Sequence, residues 1–390
     1  MRILYGYSNC TDSAYNRIAG ERGVYAMVPD QKYHGLLIKG LAENGAEVRC
    51  FSGLPVNRSV TARRIVSEPN EREGNAYFHY ITTVNLPVLR QLMIFCGAFF
   101  GVLRTKKDME TYAVCDFLNM AVAMGFILAC KLKRIKAAAV VTDLPDMFDT
   151  GKARKIIGNF ILRRFNGYIF LTEHMRSFVA ENAPYIVLEG HADKDIAALK
   201  PDFTYEEKSG KRVVMYAGNI HGKYGIANLA EGFVMADIPD SELWVNGRGD
   251  YTEALTELCR EHPAISYMGQ KPNSEIVAEE LRAALLVNPR PTAPEYTKYS
   301  FPSKNMEYMA SGTPLLTTRL PGMPAEYEPY VYLIDDDSAA GIADALKKVF
   351  ADTPEERRAK GAAARAFVLE KKSNVVQAGK IIKFLKDTFS

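Results

Sequence analysis

The sequence predicts an α/β chain folded as two domains, each built of alternating strands and helices. Three observations predict it. Strand-length apolar runs alternate with helical patterns near the amino terminus, and a second series of the same kind begins at residue 213. The chain has 390 residues, more than one hydrophobic core usually supports, since domains run to about 100 to 200 residues. The segment 299–316, YSFPSKNMEYMASGTPLL, passes from a polar loop to a helix start to a buried strand. Composition agrees: 47% hydrophobic and 24% charged residues suit a folded globular protein, and no fixed-period repeat marks a solenoid.

Residues 3–7 read as a strand, followed by a long loop, a helix over 33–44 and a strand over 47–52. Two apolar stretches come next, 92–103 and 120–132, both shorter than the roughly 20 residues of a membrane span. The second precedes a strand at 137–142 with βαβ spacing, so a buried helix is expected there. In the first, Phe95, Phe99 and Phe100 stand near Arg90, Arg104, Lys106 and Lys107, and a surface that dips into an anionic leaflet is expected. Strands over 168–172 and 185–188 follow. The segment 189–210 holds Asp193, Lys194, Asp195, Pro201, Asp202 and the run EEKSGK, and reads as the interdomain linker.

Charge is unevenly divided along the chain. Up to Gly190 there are 24 basic and 17 acidic residues, a net +7, against 25 and 29 afterwards, a net −4. The basic residues cluster beside the two apolar stretches and are not interleaved with a nucleic-acid-binding motif, which argues against that partner. Cys10, Cys50, Cys96, Cys115, Cys130 and Cys259 are scattered with no CxxC pair, so neither a zinc site nor a disulfide framework is expected and a reducing cytoplasm is. The amino terminus, MRILYGYSNC, lacks the basic start, apolar core and cleavage site of an export signal.

In the second series, a strand over 213–216 runs into a loop with Gly218, Gly222 and Gly225, which lets backbone approach a diphosphate, and Lys223 adds charge. A strand over 243–245 leads to Asn246-Gly247-Arg248-Gly249-Asp250 and brings Arg248 to the same sheet edge. After a strand at 283–287, Pro302 suits the first turn of a helix, and Gly312 followed by Thr313-Pro314 stops it. Ser303 and Lys304 then lie at a helix N-terminus, where unpaired N–H groups and the helix dipole favour a phosphate. Glu307 falls on the same face. The plainer reading of Lys304 and Glu307 is a solvated pair worth about 0.3 to 0.5 kcal/mol, but the position at a strand's carboxyl end is where open α/β sheets bind ligands. Asp335-Asp336-Asp337 precedes Ser338 and a helix over 339–350, so helix capping is expected of it rather than metal binding. Helices over 354–370 and 374–388 end the chain. Asp143, with Pro145 and Asp146, follows the strand 137–142 and is either an acceptor or catalytic contact or a helix cap. His174 is a further candidate, and none of the six histidines forms an HxxxH or HExxH pair.

On VVMYAGNIHGKYGI (213–226), LWVNGRGDY (243–251) and TKYSFPSKNMEYMASGTP (297–314), the chain resembles the retaining glycosyltransferases of family four, in particular exopolysaccharide and capsule enzymes. The resemblance implies the GT-B architecture: two Rossmann-like domains facing each other across a cleft, with the C-terminal helix crossing back to the first. Residues 1–190 with 374–390 would bind the acceptor, and residues 191–373 the nucleotide sugar. It further implies that 267–272 holds the base, Glu307 the ribose and Lys304 the phosphates, with Lys223 and Arg248 offsetting leaving-group charge and Gly218, Asn219, Gly222 and Ser303 lining the donor site. No cofactor or metal is expected. The sequence departs from the family at three points. Tyr299 stands where the first Glu of the Glu-x7-Glu signature belongs, so either Glu295 substitutes or that carboxylate is dispensable; Asn219 stands for an Arg; and Lys223 is displaced by one position. The expected activity is retaining transfer from a UDP-sugar to a glycan or lipid-linked acceptor, at the cytoplasmic face of a membrane. A GT-B-shaped nucleotide-sugar epimerase and a non-catalytic docking partner are the alternatives.

Overall fold

The computed structural model describes residues 1–19, 29–55, 60–144, 151–201 and 203–389. The chain divides into two units, Met1–His191 with Asn374–Ser390, and Ala192–Ser373. The first unit runs β1 (Arg2–Tyr7), α1 (Asp12–Ala19), α2 (Pro29–Glu43), β2 (Glu47–Gly53), the short β3 (Ile65–Val66) and β4 (Glu71–Glu73), β5 (Ala76–Ile81), β6 (Thr83–Val84), α3 (Pro87–Arg104), β7 (Thr111–Asp116), α4 (Met120–Leu132), β8 (Ala137–Val141), α5 (Lys152–Leu162), β9 (Gly167–Phe170) and β10 (Tyr185–Val187). Its main sheet has the order β10-β9-β8-β7-β1-β2-β5-β4, parallel except where β4 meets β5. Central β1 is buried along its whole length, which is why it reads as a continuous apolar run and not an alternating one. Even Arg2 is buried there, with Nε 2.7 Å from the Glu47 carboxylate and Nη1 2.6 Å from that of Asp108.

The second unit opens with α6 (Tyr205–Ser209) and continues through β11 (Arg212–Asn219), α7 (Ile226–Ala236), β12 (Ser241–Arg248), α8 (Thr252–Glu261), β13 (Ile265–Gly269), α9 (Asn273–Glu280), β14 (Leu285–Asn288), α10 (Ser303–Ser311), β15 (Leu315–Thr318), β16 (Tyr332–Ile334), α11 (Ala339–Ala351) and α12 (Pro354–Lys371). Its six strands pair in the order β13-β12-β11-β14-β15-β16, all parallel. The direction of winding reverses between β11 and β14. Segment 189–210 differs from the linker expected of it, because much of it is built into this unit. Ile196 is buried, and Arg365 on α12 donates from Nη2 to the carbonyls of Ile196, Ala197 and Leu199 at 2.9, 2.9 and 3.0 Å. Thr204 and Glu207 then form a reciprocal cap on α6.

The last helix, α13 (Asn374–Phe389), belongs to the first unit. Its Ala378, Ile381, Phe384 and Leu385 share one core with Ile3 and Tyr5 of β1 and Leu37 and Leu41 of α2. Gly40 makes the seat: a Cβ there would stand 2.3 Å from the Asn374 carbonyl oxygen. Side-chain amides complete it, Asn44 donating to the Val375 carbonyl and Gln377 to that of Gly190, each at 2.8 Å.

Residues 120–132 form a helix with the expected limits, but it is not a buried one. Val122, Ala123, Phe126, Ala129 and Cys130 face inward, while Met124, Leu128 and Leu132 are exposed. Those three recur every fourth residue and so form one stripe. An uncharged run over 120–130 hides which face is covered.

In the same unit, His34 of α2 is 1% exposed, stacked on Tyr7 at 3.7 Å between ring centres, and its Nδ1 is 2.6 Å from the Tyr5 hydroxyl. Burial holds its pKa down at about 3. An unfolded histidine titrates near 6.5, so between these values the unfolded chain holds a proton that the folded chain lacks. Stability must therefore fall as pH falls from about 6.5 toward about 3. Urea midpoints followed by circular dichroism should decline over this range, and the decline should be shallower in His34→Gln; an equal slope in both proteins would contradict the assignment.

Candidate active site

The site is built from loops at the carboxyl ends of β11, β12 and β14. β11 and β12 stay paired to their ends, with Gly218 opposite Gly247 and Asn219 opposite Arg248. The two loops then fasten to each other, Ile220 N–H donating to the Arg248 carbonyl at 2.9 Å and Tyr251 N–H to that of Ile220 at 3.0 Å. Asp250 adds a clamp, its carboxylate 3.0 Å from His221 Nδ1 and 3.0 Å from the Gly222 nitrogen, which donates to it. The His221 bond, with that backbone N–H, holds the Asp250 carboxyl below the usual range. Tyr267, in the region expected to hold a base, braces the second loop with its side chain, donating to the Gly247 carbonyl at 2.9 Å.

On the other side β11 behaves differently. It pairs with β14 only at Val214 and Met215, and beyond them the strands part. The divergence leaves the Ala217 backbone without a strand partner on that side. Tyr308 of α10, fully buried, fills the gap: its hydroxyl accepts from Ala217 N–H at 2.8 Å and donates to the Ala217 carbonyl at 3.0 Å. A second buried set holds the start of α10 to the sheet, with Asn288 donating to Asn305 at 2.7 Å and Asn305 to Thr317 at 3.1 Å. The helix N-terminus is thereby fixed over the end of β11.

Lys304 is the result of that placement. A Cβ on Gly218 would lie 2.3 Å from Lys304 Cε and 2.9 Å from Nζ, so the lysine side chain lies directly across the glycine. Pro302 is the N-cap and Ser303 the first helical residue, one position later than the sequence suggested, and no side chain caps the first turn. Gly312 ends the helix in the left-handed conformation, with φ of 84°. Ser303 is exposed, and Lys304 and Glu307 are half-buried.

One cation at the site was not singled out in the sequence. Gly225, with φ of 80°, lets the chain after β14 come against the glycine loop, since a Cβ there would be 2.0 Å from the Pro289 carbonyl oxygen. The next residue, Arg290, sets its guanidinium 5.2 Å from the ring centre of Tyr224 and 5.4 Å from that of Tyr296. Its Nη1 reaches Ser300 Oγ at 3.5 Å, and its Nε is buried without a hydrogen-bond partner. Burial pushes the Tyr216 phenol well up, and the positive charge of Arg290 opposes that shift. The signal in the sequence was position alone: an Arg two residues beyond a strand end at the reversal of the sheet.

The remaining candidates are more peripheral. Asn219, Gly222, Lys223, Arg248 and Glu295 are exposed, with Lys223 Nζ 5.3 Å from the Tyr224 ring centre. Asp143 follows β8 in the first unit, half-buried; Pro145 and Asp146 lie outside the described residues. His174 sits in a short 3₁₀ turn, Glu173–Phe178, its carbonyl accepting from Ser177. In the acidic triplet it is Ser338 that caps α11, while Asp336 accepts from Ser338 and Asp337 accepts from the Thr292 nitrogen at 2.6 Å. Among the described residues there is no cluster of three or more side chains suited to a metal ion.

Residues 200–367 match the family described as glycosyl transferases group 1. A search of curated proteins finds no match to the chain. Among solved structures, it is similar to sucrose-phosphate synthase from Thermosynechococcus elongatus, at 15% identity and a TM-score of 0.69, covering 99% of both chains. It is also similar to Anabaena HepE in complex with UDP, at 12% identity and a TM-score of 0.67, covering 99% of this chain and 100% of the other. A third likeness is to the lipopolysaccharide outer core galactosyltransferase WaaB, at 12% identity and a TM-score of 0.65, covering 100% of both. The fold is GT-B, and residues 200–367 match the group 1 glycosyl transferase family.

Tyr308→Phe keeps the ring but leaves a buried N–H and a buried carbonyl unpaired, at about 2 to 5 kcal/mol. The single tryptophan, Trp244, lies in the same unit, so urea unfolding followed by its fluorescence should show the loss. An unchanged midpoint would show that the phenol does not hold α10.

Proposed function

We propose that this protein is a retaining glycosyltransferase that moves a sugar from a UDP-linked donor to a glycan or lipid-linked acceptor in surface polysaccharide assembly, without a metal ion. Lys304 carries the reading. It lies across Gly218 at the amino end of α10, at the point where the sheet reverses, so an ammonium and the positive end of a helix meet one short stretch of backbone. A diphosphate leaving group suits that combination. HepE, whose fold this chain shares, is described in complex with UDP, which supports the choice of nucleotide.

In this reading the bond from the anomeric carbon to the diphosphate breaks while the acceptor hydroxyl attacks on the same face and passes its proton to the departing phosphate oxygen. Charge grows on the departing phosphate, and fixed cations offset it without reorganising. Lys304 takes the nearest position. Arg290 supplies the guanidinium that Asn219 lacks, reaching the same loop from β14, and exposed Lys223 and Arg248 add charge at its rim. Glu307 is assigned to the ribose hydroxyls. Ser303 N–H, Gly218, Asn219 and Gly222 line the donor, Glu295 is the carboxylate nearest in sequence to the missing one, and Asp143 is assigned to the acceptor.

Thermal unfolding with a panel of nucleotides tests the donor. UDP at about a hundred times its dissociation constant should stabilise the protein by about 2.7 kcal/mol and raise the midpoint without added metal. Lys304→Ala should unfold like the parent yet release UDP from its sugar donor about 10² to 10³ times more slowly. Arg290→Ala should weaken UDP binding about tenfold to a hundredfold, with Arg290→Lys intermediate. Normal turnover in Lys304→Ala would remove that residue from the mechanism. No response to any nucleotide would favour the non-catalytic docking partner.

A further inference from the structure

We propose that α3, α4 and α5 together form a face that lies on an anionic lipid bilayer. Three consecutive helices each leave an apolar stripe uncovered. On α3 the exposed residues are Val88, Leu89, Leu92 and Phe100, with Val88 85% exposed. On α4 they are Met124, Leu128 and Leu132, and on α5 Ile156, Ile157 and Phe160, with Ile156 69% exposed. These helices carry ten of the sixteen large exposed hydrophobics among the described residues. A soluble surface seldom concentrates them so.

Charge says what covers them. Residues 87–107, 120–136 and 151–164 contain thirteen Lys and Arg and not one Asp or Glu. Two of the arginines lean on exposed rings, Arg164 over Phe160 at 4.3 Å and Arg104 over Phe100 at 5.9 Å. Rings and aliphatic stems below with cationic heads beside them suit acyl chains under anionic head groups. A second copy of this chain would set one positive field against another. A nucleic acid would leave the apolar stripes uncovered.

The helices lie in the plane of such a surface. α3 is 18 residues long and apolar enough to cross a membrane, yet its Ile94, Ala98 and Val102 are buried. Gly97 seats it closely, since a Cβ there would be 2.5 Å from Ile81 of β5. Withdrawing α3 to span a bilayer would uncover the sheet. Phe99, expected at the surface, is half-buried and packs with Phe95 at 6.2 Å, so Phe100 is the ring that faces outward.

This surface stands whether or not the sugar-transfer reading holds, and its test needs no sugar. The intact protein should co-float with vesicles of phosphatidylcholine and about 30% phosphatidylglycerol at least about tenfold more than with phosphatidylcholine alone, and less at about 0.5 M salt. Leu92→Ser with Phe100→Ser, and separately Ile156→Ser with Phe160→Ser, should each lose most of that binding. Arg163→Glu with Arg164→Glu should abolish the preference for anionic vesicles. All three variants should keep the parent's thermal midpoint, because the changed side chains are exposed. Equal partition to both vesicles, absence of binding to either, or undiminished binding by the variants would overturn the proposal, as would a stable dimer in which this face is buried.

Discussion

The candidate site depends on two hydrogen bonds from one phenol. Where β11 and β14 part, the backbone of Ala217 loses its partner, and a parallel sheet cannot leave such groups bare in its interior without a large penalty. Tyr308 supplies both the donor and the acceptor. The tyrosine is on a helix, so satisfying a defect in the sheet also fixes the height and rotation of α10. Lys304, one turn earlier, has little choice but to lie on Gly218. The parting of the strands and the bond that sets a cation over Gly218 are one feature of the sheet.

The sequence departures from the glycosyltransferase pattern take on a physical form in the same frame. A loop arginine is absent at Asn219, but the loop is not left without a guanidinium, because the segment after β14 closes on it at Gly225 and brings Arg290 between Tyr224 and Tyr296. Two aromatic rings form the surroundings of that charge. Asp250 also stiffens the loop from below, spending its negative charge on His221 and the Gly222 nitrogen.

Much of this was legible from residue order, and what was not shares a cause. Strand limits near 3–7, 47–52 and 137–142, the helix at 120–132, and Lys304 at a helix start followed from local patterns: apolar runs, Pro302 and Gly312. Arg290 and Tyr308 did not, since each matters through a partner distant in sequence, Gly225 for one and Ala217 for the other. The outward stripe of α4 was not legible because eleven successive residues, 120–130, carry no charge to mark a face. Segment 189–210 looked like a linker because Arg365, which collects its carbonyls, comes far later in the chain. Pro302 was displaced by one position, the usual margin at a helix end.

The place of α13 in the core beside β1 has a consequence during synthesis. The ribosome finishes residues 1–191 well before it reaches 374–389, and in that interval the seat at Gly40 and the apolar wall beside β1 have nothing to cover them. At typical elongation rates the gap lasts roughly ten to forty seconds. The unit made first is therefore completed last, and the nascent chain must carry an open hydrophobic groove while the entire second unit emerges.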